Sequence, residues 1–267
     1  MVHTPFRSDA PSFRMLNWFL YDFGYTWIYT RGHFLVFLAC AVLSSLCFWR
    51  GWRRWAMAAS IVAAWGLGGA FIVNHVLQLT EPQRIPTDAF LSAGRGRVLD
   101  LGAGSGRAAV GLLLARPQAT VTALDIYQGY YGIDDNTPDR LLRNARVAGV
   151  DGRVEVRVGD MRQLPFGAGE FDAAMSVAAM DHLRWEGVEQ ALRETARVLK
   201  PDGQLLIVSL NVDHLVMIAM PVAMHGHGYW GTSQDRDRWR AALARSGFDV
   251  SRIGTRPATL YILAQKR

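Results

Sequence analysis

The stretch Val98-Leu99-Asp100-Leu101-Gly102-Ala103-Gly104-Ser105-Gly106-Arg107 decides how the rest of the chain is read. Apolar residues lead into an acid, glycine then takes every second position, and the helix-forming run Ala108 to Ala115 follows. The expected structure is a buried strand, a tight turn and a helix. Gly102, Gly104 and Gly106 let the backbone turn sharply and approach a ligand that a Cβ would push away. Amides opening the helix face that ligand, and the helix N-terminus favours negative charge there, such as a carboxylate.

A glycine loop after a strand is weakly specific alone, and its order with later features adds the rest. Ala123-Leu124-Asp125 closes a second strand one βα unit downstream, where an acid meets the hydroxyls of a ribose. Val158-Gly159-Asp160-Met161, then Leu164-Pro165-Phe166, closes a third. Phe171 to Ser176 reads as a fourth, and Leu199-Lys200-Pro201-Asp202-Gly203 turns into a fifth, Gln204 to Ser209. In this order the elements resemble the class I S-adenosylmethionine-dependent methyltransferases of the small-molecule and lipid type, from Glu81 to Arg267.

The resemblance implies an α/β fold, a Rossmann-like seven-stranded sheet with helices on both faces and its last strand inserted antiparallel. It implies S-adenosyl-L-methionine as cofactor. Its site residues would be Asp100, Gly102, Ala103, Gly104, Gly106, Asp125, Ile126, Asp160, Met161 and Ser176, with Asp125 on the ribose and Asp160 on the adenine amino group. Structural readings stand beside these roles. Asp100 can accept loop amides, Asp125 can cap a strand end, and Asp160 can cap a helix over Arg162 to Leu164.

Half of the 267 residues are hydrophobic, and the excess is concentrated before residue 75. Phe34 to Trp49 and Trp55 to Val73 carry no charge and flank Arg50-Gly51-Trp52-Arg53-Arg54. At 1.5 Å per residue they reach roughly 24 and 28 Å, close to a hydrocarbon core of about 30 Å. They read as a transmembrane helical hairpin, with Ala59, Ala63, Gly66, Gly69 and Ala70 allowing close approach. A buried soluble helix pair is the alternative. The expected organisation is an aromatic interfacial segment over 1–32, the hairpin over 33–74, a linker over 75–96 and the methyltransferase domain over 97–267. The aromatic residues of Phe13 to Thr30 suit headgroup level or the capping of the domain. In the linker, Thr80-Glu81-Pro82-Gln83 can start a short helix.

Adenosylmethionine is made in the cytoplasm, so the catalytic domain is expected on the cytoplasmic side of an integral membrane protein. That leaves Arg50, Arg53 and Arg54 outside, against the positive-inside tendency, with Arg7, Arg14, Arg31, Arg84, Arg95 and Arg97 partly balancing them. The net charge of +6 suits an anionic membrane surface. Nucleic acid is not an expected partner, because the arginines are scattered and Ser176-Val177-Ala178-Ala179 stands where a base-flipping signature would follow the fourth strand. Cys40 and Cys47 are packing residues without metal-ligand spacing.

The acceptor side rests on weaker signals. Asp181 and His182 stand at the lip of the fourth strand, and His225 and His227 lie in the glycine-rich run after the apolar segment Val212 to Ala223. Any of the four could serve as a general base, or the imidazoles could be satisfied loop groups. Tyr130 and Tyr131 sit in a long loop placed to cover a ligand, and Tyr229 and Trp230 could line a substrate wall. The expected acceptor is a lipophilic small molecule or lipid, such as a quinone precursor, isoprenoid or lipid headgroup. A soluble acceptor, a noncatalytic adenosylmethionine sensor and a dinucleotide-dependent reductase are the rivals. Against the last, the third glycine follows the second by two residues rather than three.

Overall fold

The computed structural model describes residues 20–25, 28–128, 133–211, 214–219 and 235–267. Seven strands form one sheet: β1 (Arg95–Leu101), β2 (Gln118–Asp125), β3 (Val154–Val158), β4 (Phe171–Val177), β5 (Leu199–Leu210), β6 (Phe248–Arg256) and β7 (Thr259–Lys266). Their order is β3-β2-β1-β4-β5-β7-β6, and β7 runs antiparallel to both β5 and β6. The chain moves outward from β1 to β3, then returns to the other side at β4. The carboxyl ends of β1 and β4 therefore flank a crevice, the usual place for a ligand on such a sheet.

Alternating apolar residues bury both faces of the sheet. One face packs against α3 (Arg107–Ala115) and α4 (Pro138–Val147) through Val110, Leu113, Leu141 and Ala145. The other packs against α5 (Trp185–Val198) and a C-terminal helix, Arg236–Arg245, through Val188, Leu192, Trp239 and Leu243. Caps fix the helix starts. The Thr137 hydroxyl accepts from the Arg140 amide at 3.4 Å, with Pro138 in the first turn. The fifth strand begins earlier than the sequence implies, because Leu199 already pairs with Phe171 and the register then slips before Gln204 meets Ala173. The Pro201-Asp202-Gly203 turn is thus an irregularity within the strand, and Asp202 takes φ of 60° there.

Two long helices precede the sheet, α1 (His33–Trp49) and α2 (Arg53–Phe71). They pack through Ala56, Ala59, Ala63, Gly66 and Gly69 of α2, and a Cβ on Gly66 would stand 2.8 Å from both the His33 carbonyl and the Phe37 amide. Across the same seam Ser44 Oγ lies 2.8 Å from Ser60 Oγ. The large residues point outward, with Phe48 72%, Trp49 80% and Trp55 71% exposed. After β5, α6 (His214–Ala219) returns to this helix pair. The Ala219 carbonyl lies 2.5 Å from His33 Nε2, which must therefore carry the ring proton, and Trp65 Nε1 donates to the Ile218 carbonyl at 2.8 Å.

Between α2 and β1 the chain crosses α3 in turns, and no helix forms at Thr80–Gln83. The stretch is held instead by Arg107, which takes the Glu81 carbonyl and those of the residues just before it. Arg107 Nε donates to the Glu81 carbonyl at 2.9 Å, and its Nη2 donates to Leu77 and Gln78 at 2.7 and 2.9 Å. The Gln83 amide donates to the Arg107 carbonyl at 3.0 Å. Gly111 lets the linker lie directly on α3, since a Cβ there would collide with the Gln83 carbonyl. The C-terminal helix Arg236–Arg245 is α7 below, the last helix among the described residues.

The described part of the N-terminal segment is extended and lies on the domain. Tyr21 and Phe23 stack at 5.3 Å, and Phe23 is buried. Asn144 joins this segment to the glycine loop, accepting from the Asp22 amide at 2.9 Å and donating to the Asp22 and Ser105 carbonyls at 2.8 and 3.0 Å.

Because Gly111 seats backbone on backbone, Gly111→Val is expected to destabilise the full chain by about 2 kcal/mol or more, a fall in Tm of roughly 2–4 °C per kcal/mol. Gly152→Ala meets open space and should change stability by less than about 0.5 kcal/mol. Thermal unfolding of both variants in detergent checks the pair.

Candidate active site

A cavity of about 920 Å³ opens at the carboxyl edge of the sheet, near the upper end of the range for ligand sites. Its floor is the loop after β1. Gly102, Gly104 and Gly106 have φ of 77°, 51° and 84°, left-handed values that side chains disfavour. A Cβ on Gly104 would approach Ile133 Cδ1 to 3.0 Å, so the loop has just enough room beneath the β2–α4 connection.

Asp125 ends β2 beside this loop. Its Oδ2 accepts from the Gly104 amide at 2.8 Å, and its Oδ1 accepts from the Tyr127 amide at 2.7 Å and more distantly from Asn136 Nδ2 at 3.4 Å. Ile126, Asp160 and Met161 line the same wall. Asp160 is gripped by Arg162, whose Nε lies 3.0 Å from both carboxylate oxygens and whose Nη2 lies 2.6 Å from Oδ2. This contact holds the Asp160 carboxyl below its ordinary value, against the smaller opposing effect of burial. Asp160 also accepts from the Arg162 amide at 2.8 Å, so the turn-capping geometry is present.

The cavity brings together Gly102, Ala103, Gly104, Asp125, Ile126, Asp160, Met161, Asp181 and His182. Asp100, Gly106 and Ser176 stand behind its wall. Gly106 caps α3 and faces Leu141, while the Ser176 hydroxyl accepts from the Met180 amide at 3.1 Å. Asp181 and His182 belong to a short 3₁₀ turn, Met180–His182, at the lip after β4, and Asp181 Oδ1 is buried with no partner among the described residues. Tyr130, Tyr131, His225, His227, Tyr229 and Trp230 lie outside the described residues.

Sequence reasoning missed a third wall. The residues His75 to Leu79 that follow the hairpin line the cavity, as do Arg84 and the Arg256–Thr259 turn between β6 and β7. No local pattern marks them, since they reach the site only through the crossing of the linker over α3.

Asp100 is fully buried under the loop, and neither carboxylate oxygen has a hydrogen-bond partner among the described residues. Burial, reinforced by the charge of Asp125 and only weakly opposed by the Ala109 amide, pushes its pKa up to about 8. The unfolded chain releases this proton near the ordinary Asp value of about 3.9. Between those values the folded state holds the extra proton, so stability falls as pH rises through the window and levels off above it. Asp100→Asn removes that slope. Its Tm advantage over wild type should therefore be several degrees larger at pH 8 than at pH 4, and equal differences at the two pH values would overturn the assignment.

Comparison with known proteins agrees with this geometry. Residues 98–203 match the family described as a methyltransferase domain. A malonyl-[acyl-carrier protein] O-methyltransferase from Laribacter hongkongensis is 35% identical over 166 residues, covering 59% of this chain and 54% of that protein. A ubiquinone/menaquinone biosynthesis C-methyltransferase from Syntrophotalea carbinolica is 31% identical over 121 residues, covering 45% of this chain and 46% of that protein. The chain thus spans about half the length of the curated relatives it matches. The fold is shared with an O-methyltransferase family protein from Burkholderia thailandensis, at a TM-score of 0.54 and 16% identity over 80% of this chain and 62% of that one. The glycine loop, Asp125 and the β3-β2-β1-β4-β5-β7-β6 sheet thus lie within or around the residues that match the methyltransferase domain family, on a fold shared with an O-methyltransferase family protein.

Proposed function

We propose that the full chain is a membrane-anchored methyltransferase that transfers a methyl group to a lipophilic small molecule or lipid, with its catalytic domain on the cytoplasmic side. The observation that carries this reading is that the glycine loop and the residues leading directly out of the hairpin, His75 to Leu79, line one cavity. An anchor serving only as an address would have no reason to wall the site.

The helices themselves support the membrane part. Thr30–Trp49 and Arg53–Val76 are long and apolar enough to cross a bilayer, and only 11% and 39% of their most apolar windows are buried inside the protein. A water-soluble helix pair would bury its large side chains rather than expose them as one patch. Exposed Trp49, Trp52 and Trp55 sit with Arg50, Arg53 and Arg54 at the tip, a pairing that suits the far headgroup layer. Membrane lipids are then the surrounding partner. The quinone-biosynthesis relative adds support for an apolar acceptor, and the scattered arginines give no support to nucleic acid.

The residues fit the cofactor. Gly102 and Gly104 form a cradle that side chains would fill, and the Asp125 carboxylate faces the cavity as an acceptor for hydroxyl groups. Ile126, Asp160 and Met161 would hold the base. S-Adenosylmethionine supplies, when bound, an electrophilic methyl group on a sulfonium sulfur. The chain's own task is to align the acceptor's nucleophilic atom and exclude water. Asp181 and His182 stand at the lip, where a carboxylate or imidazole can take the proton of a hydroxyl or carbon acid.

Membranes containing the full chain, incubated with methyl-labelled adenosylmethionine and extracted with organic solvent, test the proposal. Label is expected in the organic phase for wild type and not for Gly104→Val, whose side chain would meet Ile133 at a φ of 51°. Label confined to water-soluble product would remove the lipid part of the reading.

A further inference from the structure

Among the described residues, the acceptor end of the cavity carries two arginines, Arg84 and Arg256, without a carboxylate paired to either. Arg84, in the linker, is exposed; its carbonyl accepts from Gln83 Nε2 at 3.4 Å, and its guanidinium has no hydrogen-bond or ion-pair partner among the described residues. Arg256, at the end of β6, donates from Nη2 to the Pro86 carbonyl at 3.1 Å and has no carboxylate partner among the described residues. That contact brings the β6–β7 turn beside the linker. The turn also lies at the carboxyl end of β5, since Thr259 pairs with both Arg256 and Leu210. The two arginines therefore stand on the side of the cavity away from β2 and β3, where Asp125 and Asp160 are.

The three acids that line the cavity among the described residues do not pair with them. Asp160 is taken by Arg162, and Asp125 is taken by the Gly104 and Tyr127 amides. Asp181 is at the lip, its Oδ1 unpartnered. Next to the arginines the wall changes character. Val76, Leu77 and Leu79 line the cavity and pack against Ile72, Val73 and Ala219, a cluster at the foot of the hairpin. One end of the acceptor space is cationic and the adjoining wall is apolar and continuous with the hairpin.

Resting on the methyltransferase reading above, we propose that the acceptor is an anionic amphiphile, whose carboxylate or phosphate is read by Arg84 and Arg256 and whose apolar tail runs along Val76, Leu77 and Leu79 toward the bilayer. An unpaired guanidinium is suited to such a group, because it offers a fork of donors to two oxygens at once. The preference between lipids then comes from charge at the head, while the tail supplies affinity without distinguishing one apolar chain from another.

The full chain in nonionic detergent, saturated with S-adenosylhomocysteine, is titrated with radiolabelled oleate and with oleyl alcohol, which share a tail and differ in charge. Wild type is expected to bind oleate about tenfold more tightly than the alcohol. The Arg84→Met, Arg256→Met double variant should bind the two equally while keeping its S-adenosylhomocysteine affinity, which shows that it is folded. The Arg84→Lys, Arg256→Lys variant should keep a part of the preference. Equal binding of oleate and oleyl alcohol by wild type overturns the proposal. So does loss of S-adenosylhomocysteine affinity in the methionine variant with the lysine variant intact, because the arginines would then hold the cofactor's own carboxylate. If wild type binds no S-adenosylhomocysteine yet prefers oleate, the anion site stands and the methyltransferase reading falls.

Discussion

The structure depends on one side chain, Arg107, more than on any other. It is the first residue of α3, directly behind the glycine loop, and its guanidinium reaches back to the carbonyls of Leu77, Gln78 and Glu81. A cation at a helix start is unfavourable toward the helix dipole, so the contact must be supplied by the linker. Burial pulls its pKa below the ordinary arginine value, and the neighbouring Tyr25 and Glu81 counter that pull. The result is that the exit of the hairpin and the floor of the cavity are joined through one group. Removing it would strand three backbone carbonyls near the cavity, each costing about 1–3 kcal/mol if left unsatisfied.

This explains what was and was not legible in the sequence. The glycine spacing, the acids at strand ends and the capped helix at Thr137-Pro138 are local signals, and the structure reproduces each where local chemistry decides it. The antiparallel β7 was readable only through the resemblance, since its apolar alternation would serve a parallel neighbour equally well. The linker forms no helix at Thr80–Gln83, where the Glu81 carbonyl is bound to Arg107 and the Gln83 amide to the Arg107 carbonyl, contacts that local propensity does not record. Asn144 is another such case. In sequence it is an unremarked polar residue of an amphipathic helix, yet buried it connects Asp22 to Ser105 across the fold. Contacts of this kind depend on which backbone groups two distant segments leave unpaired, and periodicity carries no record of that.

The hairpin poses the opposite problem, since its sequence was plain and its role was not. Small residues face inward on α2 and large ones outward, the arrangement expected when the surroundings are as apolar as the side chains. At its foot, however, several polar groups find carbonyl partners, although His33 Nδ1 and Asn74 Oδ1 have none among the described residues. His33 and Trp65 take the carbonyls of Ala219 and Ile218 at the end of α6, and Asn74 donates to the Thr30 and Ala70 carbonyls at 3.1 and 2.8 Å. Helix-terminal carbonyls exposed to water would need no such partners. In the membrane-anchored reading these partners replace water at the level where the bilayer begins. Gly69 belongs to the same device, because any Cβ there would strike the His33 ring.

Asp125 shows how the site can be ordered before a ligand arrives. A carboxylate has about four acceptor positions, and here fixed backbone donors from Gly104 and Tyr127 occupy two of them. Those donors set the plane of the carboxylate, and the remaining lone pairs are left for hydroxyl groups entering from the cavity. The same two bonds hold Gly104 against β2, so the loop that must accept a ligand at close range is positioned by the residue that would bind its ribose. Ile133 and Asn136 come over this pair from the β2–α4 connection, and Ile133 is in turn bridged to Tyr25 of the N-terminal segment. Cofactor floor, acid and cover are therefore mutually positioned on one side of the cavity, while the other side is set by Arg107 and the hairpin. The two halves of the site meet at the first turn of α3, where Arg107 also lies against Tyr25, and in the membrane-anchored reading this is where an acceptor held by the membrane and a methyl donor held by the sheet are brought into register.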